Sequence, residues 1–245
     1  EAPIPEHDPR NPATMADNVR DNVGAVAGLG SDLLESYVGA ISSGIILAYH
    51  LFSKSLAEGT GMDGALLQTL VLFPLVFVSN GLIASCLGIA SLLFKKNMSD
   101  DPHRDLNACT YFASGATILL GLISSCLMFG GFESASLKEI LGFQCGQFSP
   151  WVAATVGVAA GVVIGMLAEY YTSAGFKPTR NLARTSLEGA ALTITQGLAL
   201  GMKSCMAPCL ILGAGIIASY QAAGMYGVAM SAMGMLSFVT ATVSV

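Results

Sequence analysis

Uncharged apolar segments of about 20 residues or more dominate this chain, and they constrain its fold more than any other feature. Only 11% of its 245 residues are charged and 53% are hydrophobic, whereas soluble domains carry about 25% charged residues. A bilayer cannot satisfy backbone polar groups, so a crossing segment must be a helix or a strand of a closed barrel. Segments of this length suit helices, because a barrel strand needs only about 10 residues. The sequence therefore predicts an all-α polytopic transmembrane helical bundle.

Breaks between the apolar segments predict about six membrane spans in one transmembrane domain. A loop at 1–11 precedes a long helix at 12–54, for which Asn11 is the expected cap and Pro12 the first residue. A helix of that length would extend roughly 64 Å, about twice the thickness of the hydrocarbon core. Its polar N-terminal half is therefore expected to stand in water. Glycine, proline and polar clusters bound the other spans, which we place at 63–96, 102–130, 150–173, 190–222 and 226–245.

Positive charge falls mainly on one side of this six-span arrangement. Eight lysine and arginine residues lie in the N-terminal segment and in the second and fourth connections, against Lys54 and Lys138 on the other side. Since positive loops stay in the cytoplasm, the acidic N-terminal segment of this multi-pass protein is predicted to be cytoplasmic. No basic cluster indicates a nucleic acid partner. The chain runs from Glu1 to Val245 without an initial Met or a polar tail, so we expect an internal fragment of a longer protein.

Two carboxylates near the start of the first helix form a candidate metal site. Asp17 and Asp21 are one helical turn apart, so they share a face of the helix and repel unless a cation lies between them. Hard oxygen ligands on a helix suit Mg²⁺, especially Mg²⁺ bound to a phosphate substrate. The alternative is a solvated acidic face near a helix start, where negative charge is favoured in any case. The spacing leaves both interpretations open.

A second pair of carboxylates lies deeper along the same helix. Asp32 and Glu35 are three residues apart, and Glu35 is the only charged residue between Leu33 and Ala48. An ionisable side chain inside a membrane helix costs about 3 kcal/mol on insertion scales, so it marks a candidate proton or cation pathway. The alternative is a structural ion pair with a lysine such as Lys203.

Several blocks of the sequence closely resemble membrane-bound, ion-pumping pyrophosphatases. The family pattern E-D-D-P-R-N-P-A is followed by A-D-N-V-G-D-N-V-G-D. The matching blocks here are EHDPRNPAT at 6–14, ADNVRDNVG at 16–24, AGLGSDLLESY at 27–37, EYYTS at 169–173, KPTR at 177–180, GLA at 197–199, GM at 201–202 and YG at 226–227. The resemblance covers essentially the whole chain, and its first blocks are the most specific.

The resemblance implies a dimer of subunits with about sixteen helices, of which this chain would supply six from the middle. It implies hydrolysis of Mg-pyrophosphate on the cytoplasmic side, coupled to transport of H⁺ or Na⁺ across the lipid bilayer of the cell inner membrane or of a vacuolar-type membrane. Asp21 then corresponds to a Mg²⁺ ligand and Asp17 to a neighbour that supports the substrate site. Asp32 and Glu35 correspond to the ion gate. The family places its gate glutamate at one of two positions a turn apart. Glu35 fills the first of these and Gly39 the second, as in K⁺-stimulated members.

Three residues depart from the family pattern. Ala25 stands where the family has an aspartate that positions the attacking water, so the catalytic group expected there is missing. Arg20 replaces a glycine between Asp17 and Asp21, where it could crowd the site or pair with the carboxylates in place of a metal. His7 replaces an aspartate in the preceding loop. The alternative function is therefore a catalytically inactive relative, acting as a non-enzymatic membrane protein.

Overall fold

The computed structural model describes residues 11–59, 62–94, 102–132 and 134–237. Helices joined by short turns make up these ranges, and no strand occurs within them, which confirms the all-α prediction. The predicted loop before Asn11, including His7, lies outside the described residues, as do the ends of two predicted spans at 95–96 and 238–245. The helices are α1 (Pro12–Glu58), α2 (Gly64–Phe94), α3 (Pro102–Phe129), α4 (Ser134–Leu141), α5 (Ser149–Thr172), α6 (Lys177–Thr185) and α7 (Ala190–Ser237).

Helix α1 begins and ends at signals that are readable in the sequence. The Asn11 side chain accepts a hydrogen bond from the Ala13 amide at 3.1 Å, and Pro12 takes the first helical position, where its missing N–H is not needed. The helix ends at Glu58, beyond the boundary predicted near Lys54. Gly59 follows with φ 70°, a left-handed conformation that glycine adopts without steric cost. The 47 residues give an uninterrupted helix roughly 70 Å long.

Among the residues that the structure describes, five helical segments are long and apolar enough to cross a membrane, as a polytopic transmembrane bundle requires. Helix α7 is longer than one crossing, and its backbone is non-helical at Ala223 and Gly224. Gly224 has φ 61°, which favours glycine, and the amide of Gln144 donates to the carbonyl of Ala222 just before the break. The break coincides with the predicted gap between spans 190–222 and 226–245. The division into six spans stays a prediction.

The segment of α7 after the break lies against α1, α2 and α5. Close approach to α5 depends on glycine: a Cβ atom added to Gly157 would lie 1.9 Å from the Ser231 carbonyl oxygen, and one added to Gly234 would lie 2.1 Å from that of Ala154. The Tyr37 hydroxyl on α1 donates to the carbonyl of Leu236. This segment therefore fixes the C-terminal half of α1 in the bundle.

A proline and a buried tyrosine form a matched pair in the core. Pro74 lies inside α2 and has no N–H to donate to the carbonyl of Leu70, four residues earlier. The hydroxyl of Tyr226, which is fully buried, donates to that same carbonyl at 2.8 Å. The tyrosine thus replaces the backbone hydrogen bond that the proline removes, and the carbonyl is satisfied although no water reaches it.

Replacing Tyr226 by phenylalanine should lower the free energy of unfolding by about 1–3 kcal/mol, because the Leu70 carbonyl loses its donor inside the core. Thermal unfolding in detergent measures the change. Pro74→Ala restores a backbone N–H at residue 74, which can donate to the Leu70 carbonyl in place of the tyrosine hydroxyl. The substitution should therefore lower the free energy of unfolding less in the Tyr226→Phe background than in the unmodified protein. Additive effects of the two substitutions would contradict the pairing.

Candidate functional site

The four candidate carboxylates form one stripe along α1. Asp17 and Asp21 are separated by one turn, and Asp32 and Glu35 by three residues. Asp21 and Asp32 are eleven residues apart, which is close to three full turns and corresponds to roughly 16 Å along the helix axis. All four side chains are exposed in the described structure. The helix therefore presents two carboxylate pairs on one face, which we call the carboxylate stripe.

The carboxylate stripe lies mainly on the part of α1 that projects from the described bundle. Residues 15–24 and 26–32 of α1 are exposed, and the α1 residues in the core come from its C-terminal half, with Ala48 fully buried. Apolar residues of the projecting part are exposed too, including Val19, Val23 and Leu29. The projecting part of α1 is thus not covered by the described bundle.

Arg20 pairs with Asp17 on the surface of α1. The Arg20 Nη1 atom lies 3.8 Å from the Asp17 Oδ1 atom, and the two side chains are 84% and 65% exposed. A pair so open to solvent contributes little stability and weakens with salt. One of the two predicted effects of Arg20, pairing with a carboxylate, is thus seen for Asp17. Because this ion pair is weak, a cation that binds the carboxylate more strongly can displace Arg20 from Asp17.

The two carboxylates suit Mg²⁺ that is shared with a substrate. No group of three or more histidine, cysteine, aspartate or glutamate side chains able to hold a metal occurs among the described residues. Asp17 and Asp21 alone supply too few ligands for a closed protein site. Mg²⁺ commonly takes one or two carboxylates and completes its octahedral shell with water and substrate phosphate oxygens. The donor set at Asp17 and Asp21 fits that arrangement.

Ala25 occupies the turn of α1 that follows Asp21. Four residues separate the two positions, so they lie on the same side of the helix. An alanine has no group that can accept a proton or orient a water molecule. The stripe therefore lacks a carboxylate at the place between its two pairs.

Lys203 does not provide the structural ion pair that was considered for the deeper carboxylates. It lies on α7, is exposed, and makes no ion pair with Asp32 or Glu35 in the part of the chain that the structure describes. It lines instead an open cavity of about 530 Å³ between the end of α5, helix α6 and the N-terminal part of α7. The cavity was not predicted from the sequence, because it depends on how three separate helices meet.

A polar contact between α3 and α5 was also missed. The Asn107 side-chain amide donates to both carboxylate oxygens of Glu169, at 3.1 and 3.0 Å, and the contact is partly buried. In the sequence, Glu169 stood out only as the first residue of the EYYTS block at 169–173. The two residues are 62 positions apart, and no local pattern links them.

The fold defines the class of protein: a polytopic helical membrane protein whose longest unbroken helix among the described residues carries carboxylates from its projecting end toward the bundle. The model of the family described as Inorganic H+ pyrophosphatase matches residues 1–245. The chain belongs to this family of membrane-bound, ion-translocating pyrophosphatases, as its sequence motifs indicated.

Curated relatives include pumps of both ion types. The chain is 45% identical, over 99% of its length, to a K(+)-stimulated pyrophosphate-energized sodium pump of Thermotoga maritima. It is 37% identical, over its full length, to a putative pump of the same kind from Clostridium tetani. It is 36% identical, over 97% of its length, to a K(+)-insensitive pyrophosphate-energized proton pump of Caldanaerobacter subterraneus. The chain covers 34%, 33% and 32% of these three relatives, about one third of each.

Proposed function

We propose that the complete protein is a pyrophosphate-energised cation pump, which hydrolyses Mg-pyrophosphate on the cytoplasmic side and moves Na⁺ or H⁺ through the membrane. The observation that carries this proposal is the carboxylate stripe. It places two pairs of oxygen ligands on one face of one unbroken helix. The curated relatives are named as pyrophosphate-energised pumps, which supports the same activity here.

The first pair of the stripe, Asp17 and Asp21, is proposed to bind substrate. Asp21 would act as a Mg²⁺ ligand, and Asp17 would support the bound Mg-pyrophosphate from one turn away. When bound, Mg²⁺ neutralises negative charge on the pyrophosphate oxygens. The exposure of both carboxylates supports this role, since they are free to face a phosphate from the water phase.

The second pair of the stripe, Asp32 and Glu35, is proposed to form the ion gate. Asp32 and Glu35 lie roughly 16 Å or more along the helix from Asp21, so substrate and transported ion would occupy separate places on one element. A carboxylate within a membrane-spanning helix binds a proton or Na⁺ readily, because the ion relieves the cost of burying its charge. We further propose stimulation by K⁺, which the position of Glu35 and the name of the Thermotoga maritima relative support.

Assembly and orientation complete the proposal. We propose a homodimer with the N-terminal end of α1 in the cytoplasm. The eight positive residues on one side of the predicted six-span topology support that orientation.

The second candidate function is that of a catalytically inactive relative, and one residue favours it. Ala25 has no carboxylate to orient the attacking water, so the binding groups would be present without the general base. Such a protein would retain a cation pathway or a binding role but would not hydrolyse pyrophosphate.

The pump proposal is tested by ion uptake into vesicles that contain the complete protein, both unmodified and as Ala25→Asp, energised by Mg²⁺ and pyrophosphate. Added to the more active of the two, Glu35→Gln should reduce uptake by about tenfold or more, because the gate loses its ionisable group. Glu58→Gln is the matched control: Glu58 lies at the far end of the same helix, exposed and paired with Lys54, and its variant should retain uptake. If neither the unmodified protein nor Ala25→Asp shows ion uptake or hydrolysis, the result contradicts the pump proposal and favours the inactive relative. Uptake insensitive to K⁺ would contradict the assignment to the stimulated class.

A further inference from the structure

An open cavity of about 530 Å³ lies where α5 ends and where α6 and α7 meet it. Residues spaced along one face of α6 and along one face of α7 line it, and two tyrosines at the end of α5 close it. The lining residues are Tyr170, Tyr171, Lys177, Pro178, Asn181, Leu182, Thr185, Gln196, Ala199, Leu200 and Lys203. We call this the α5–α6–α7 cavity.

Two hydrogen bonds hold α6 in place as the wall of the cavity. The Thr179 hydroxyl donates to the carbonyl of Tyr171 at 3.1 Å, and the Arg180 Nε atom donates to the carbonyl of Ala174 at 3.1 Å. Both bonds connect α6 to the end of α5 or to the turn that follows it. The cavity is therefore shaped by the folded chain rather than by a loose surface helix.

The α5–α6–α7 cavity is positively charged. Lys177 and Lys203 approach it from two different helices, and no acidic side chain is among the described residues that line it. Neither lysine is paired with a carboxylate in the described part of the chain. Tyrosine, threonine and amide side chains around them can donate further hydrogen bonds. Lysine is a common partner of phosphate groups, which it binds as a mobile point charge.

The position of Lys203 places the cavity at the edge of the membrane. The stretch 204–222 that follows it in α7 is uncharged, and at 1.5 Å per residue it is roughly 28 Å long, close to the thickness of the hydrocarbon core. In α5 the stretch 149–168 is likewise uncharged and leads to Glu169, Tyr170 and Tyr171. Tyrosines and lysines concentrate at the headgroup layer. Both helices thus bring the cavity to the depth of lipid phosphates.

We propose that the α5–α6–α7 cavity binds a phosphate-bearing anion, with Lys177 and Lys203 as its charged ligands. The phosphate would lie between the two ammonium groups, and Leu182 and Leu200 would provide an apolar wall beneath it. An anionic phospholipid supplies both the phosphate and the chains that such a wall accommodates, and basic pockets between helices bind such headgroups. Free inorganic phosphate offers the same charged chemistry from the water phase. This site is separate from the carboxylate stripe.

The test is native mass spectrometry of the complete protein in detergent with anionic phosphatidylglycerol, and with zwitterionic phosphatidylcholine, which has no net charge, as the reference lipid. The unmodified protein should retain phosphatidylglycerol in preference to phosphatidylcholine. The double variant Lys177→Gln/Lys203→Gln should retain about tenfold less phosphatidylglycerol, because both charged ligands are gone. Arg184→Gln is the matched control, since Arg184 is an exposed cation on α6 that does not line the cavity. Its retention should equal that of the unmodified protein.

A parallel arm identifies the source of the phosphate. Radiolabelled inorganic phosphate is measured by equilibrium dialysis with the unmodified protein and with the double variant. If lipid retention depends on the lysines and inorganic phosphate does not displace the lipid, the result supports a lipid site. If inorganic phosphate itself binds and its binding depends on the lysines, the result supports a soluble ligand. If the double variant does not fold, the single variant Lys177→Gln, at the exposed start of α6, carries both measurements. Equal binding of both probes with and without the lysines would overturn the proposal.

Discussion

Replacing Ala25 by aspartate should raise Mg²⁺-dependent pyrophosphate hydrolysis by the complete protein by about a hundredfold or more. The substitution adds a carboxylate one turn after Asp21, on the face that carries the proposed substrate ligands. General-base groups of this kind typically contribute a factor of about 10²–10⁴ to the rate. Phosphate release is measured with the purified protein in detergent, in matched samples of the two forms.

Ala27→Asp is the control for this prediction. Residue 27 is exposed and lies on the opposite side of α1 from residue 25, since two positions turn a helix by roughly 200°. It adds the same charge without placing it beside Asp21, so hydrolysis should stay at the level of the unmodified protein. Equal activity with Ala25 and with Asp at this position would contradict the view that Ala25 disables the site. An absence of activity in both forms would favour the inactive relative.

The substitution Gly157→Ala should be among the most destabilising single changes in the bundle. The added methyl group would lie 1.9 Å from the carbonyl oxygen of Ser231, which is backbone and cannot rotate away. Helices α5 and α7 would have to separate along their shared contact. Overpacking of this kind costs about 3 kcal/mol or more where the neighbours cannot move. The midpoint of thermal unfolding in detergent should fall accordingly.

Gly165→Ala provides the matched comparison on the same helix. A Cβ atom at residue 165 would have no heavy atom within 4 Å, so the substitution adds no clash and slightly favours the helical backbone. Its unfolding midpoint should equal or exceed that of the unmodified protein. Equal midpoints for the two variants would show that the close contact of α5 with α7 does not limit stability.

Local signals explain which parts of the fold were predictable. The start of α1 was predicted because Asn11 and Pro12 act on neighbouring backbone groups, and the alignment of Asp17 with Asp21 follows from helix geometry. The end of α1 differed because no local signal at Lys54 stops the helix before Gly59, whose left-handed backbone does.

Contacts between distant residues could not be predicted in the same way. The Asn107–Glu169 contact and the α5–α6–α7 cavity exist only because separate helices come together. Of the candidate site, the residue types and their common face were predictable, whereas the exposure of the stripe and the position of Lys203 required the structure. The roles of Asp17, Asp21, Asp32 and Glu35 rest on the family resemblance and remain predictions.

The hydrogen bond from Tyr226 to the Leu70 carbonyl has a consequence for how this chain can change during evolution. Pro74 creates the need for a donor, and Tyr226, more than 150 positions later, meets that need. The pairing predicts that loss of the tyrosine hydroxyl is more harmful while the proline is present. A lineage that first replaces Pro74 by a residue with an N–H is released from the requirement for tyrosine. The order in which the two positions mutate therefore decides whether the intermediate sequence is stable.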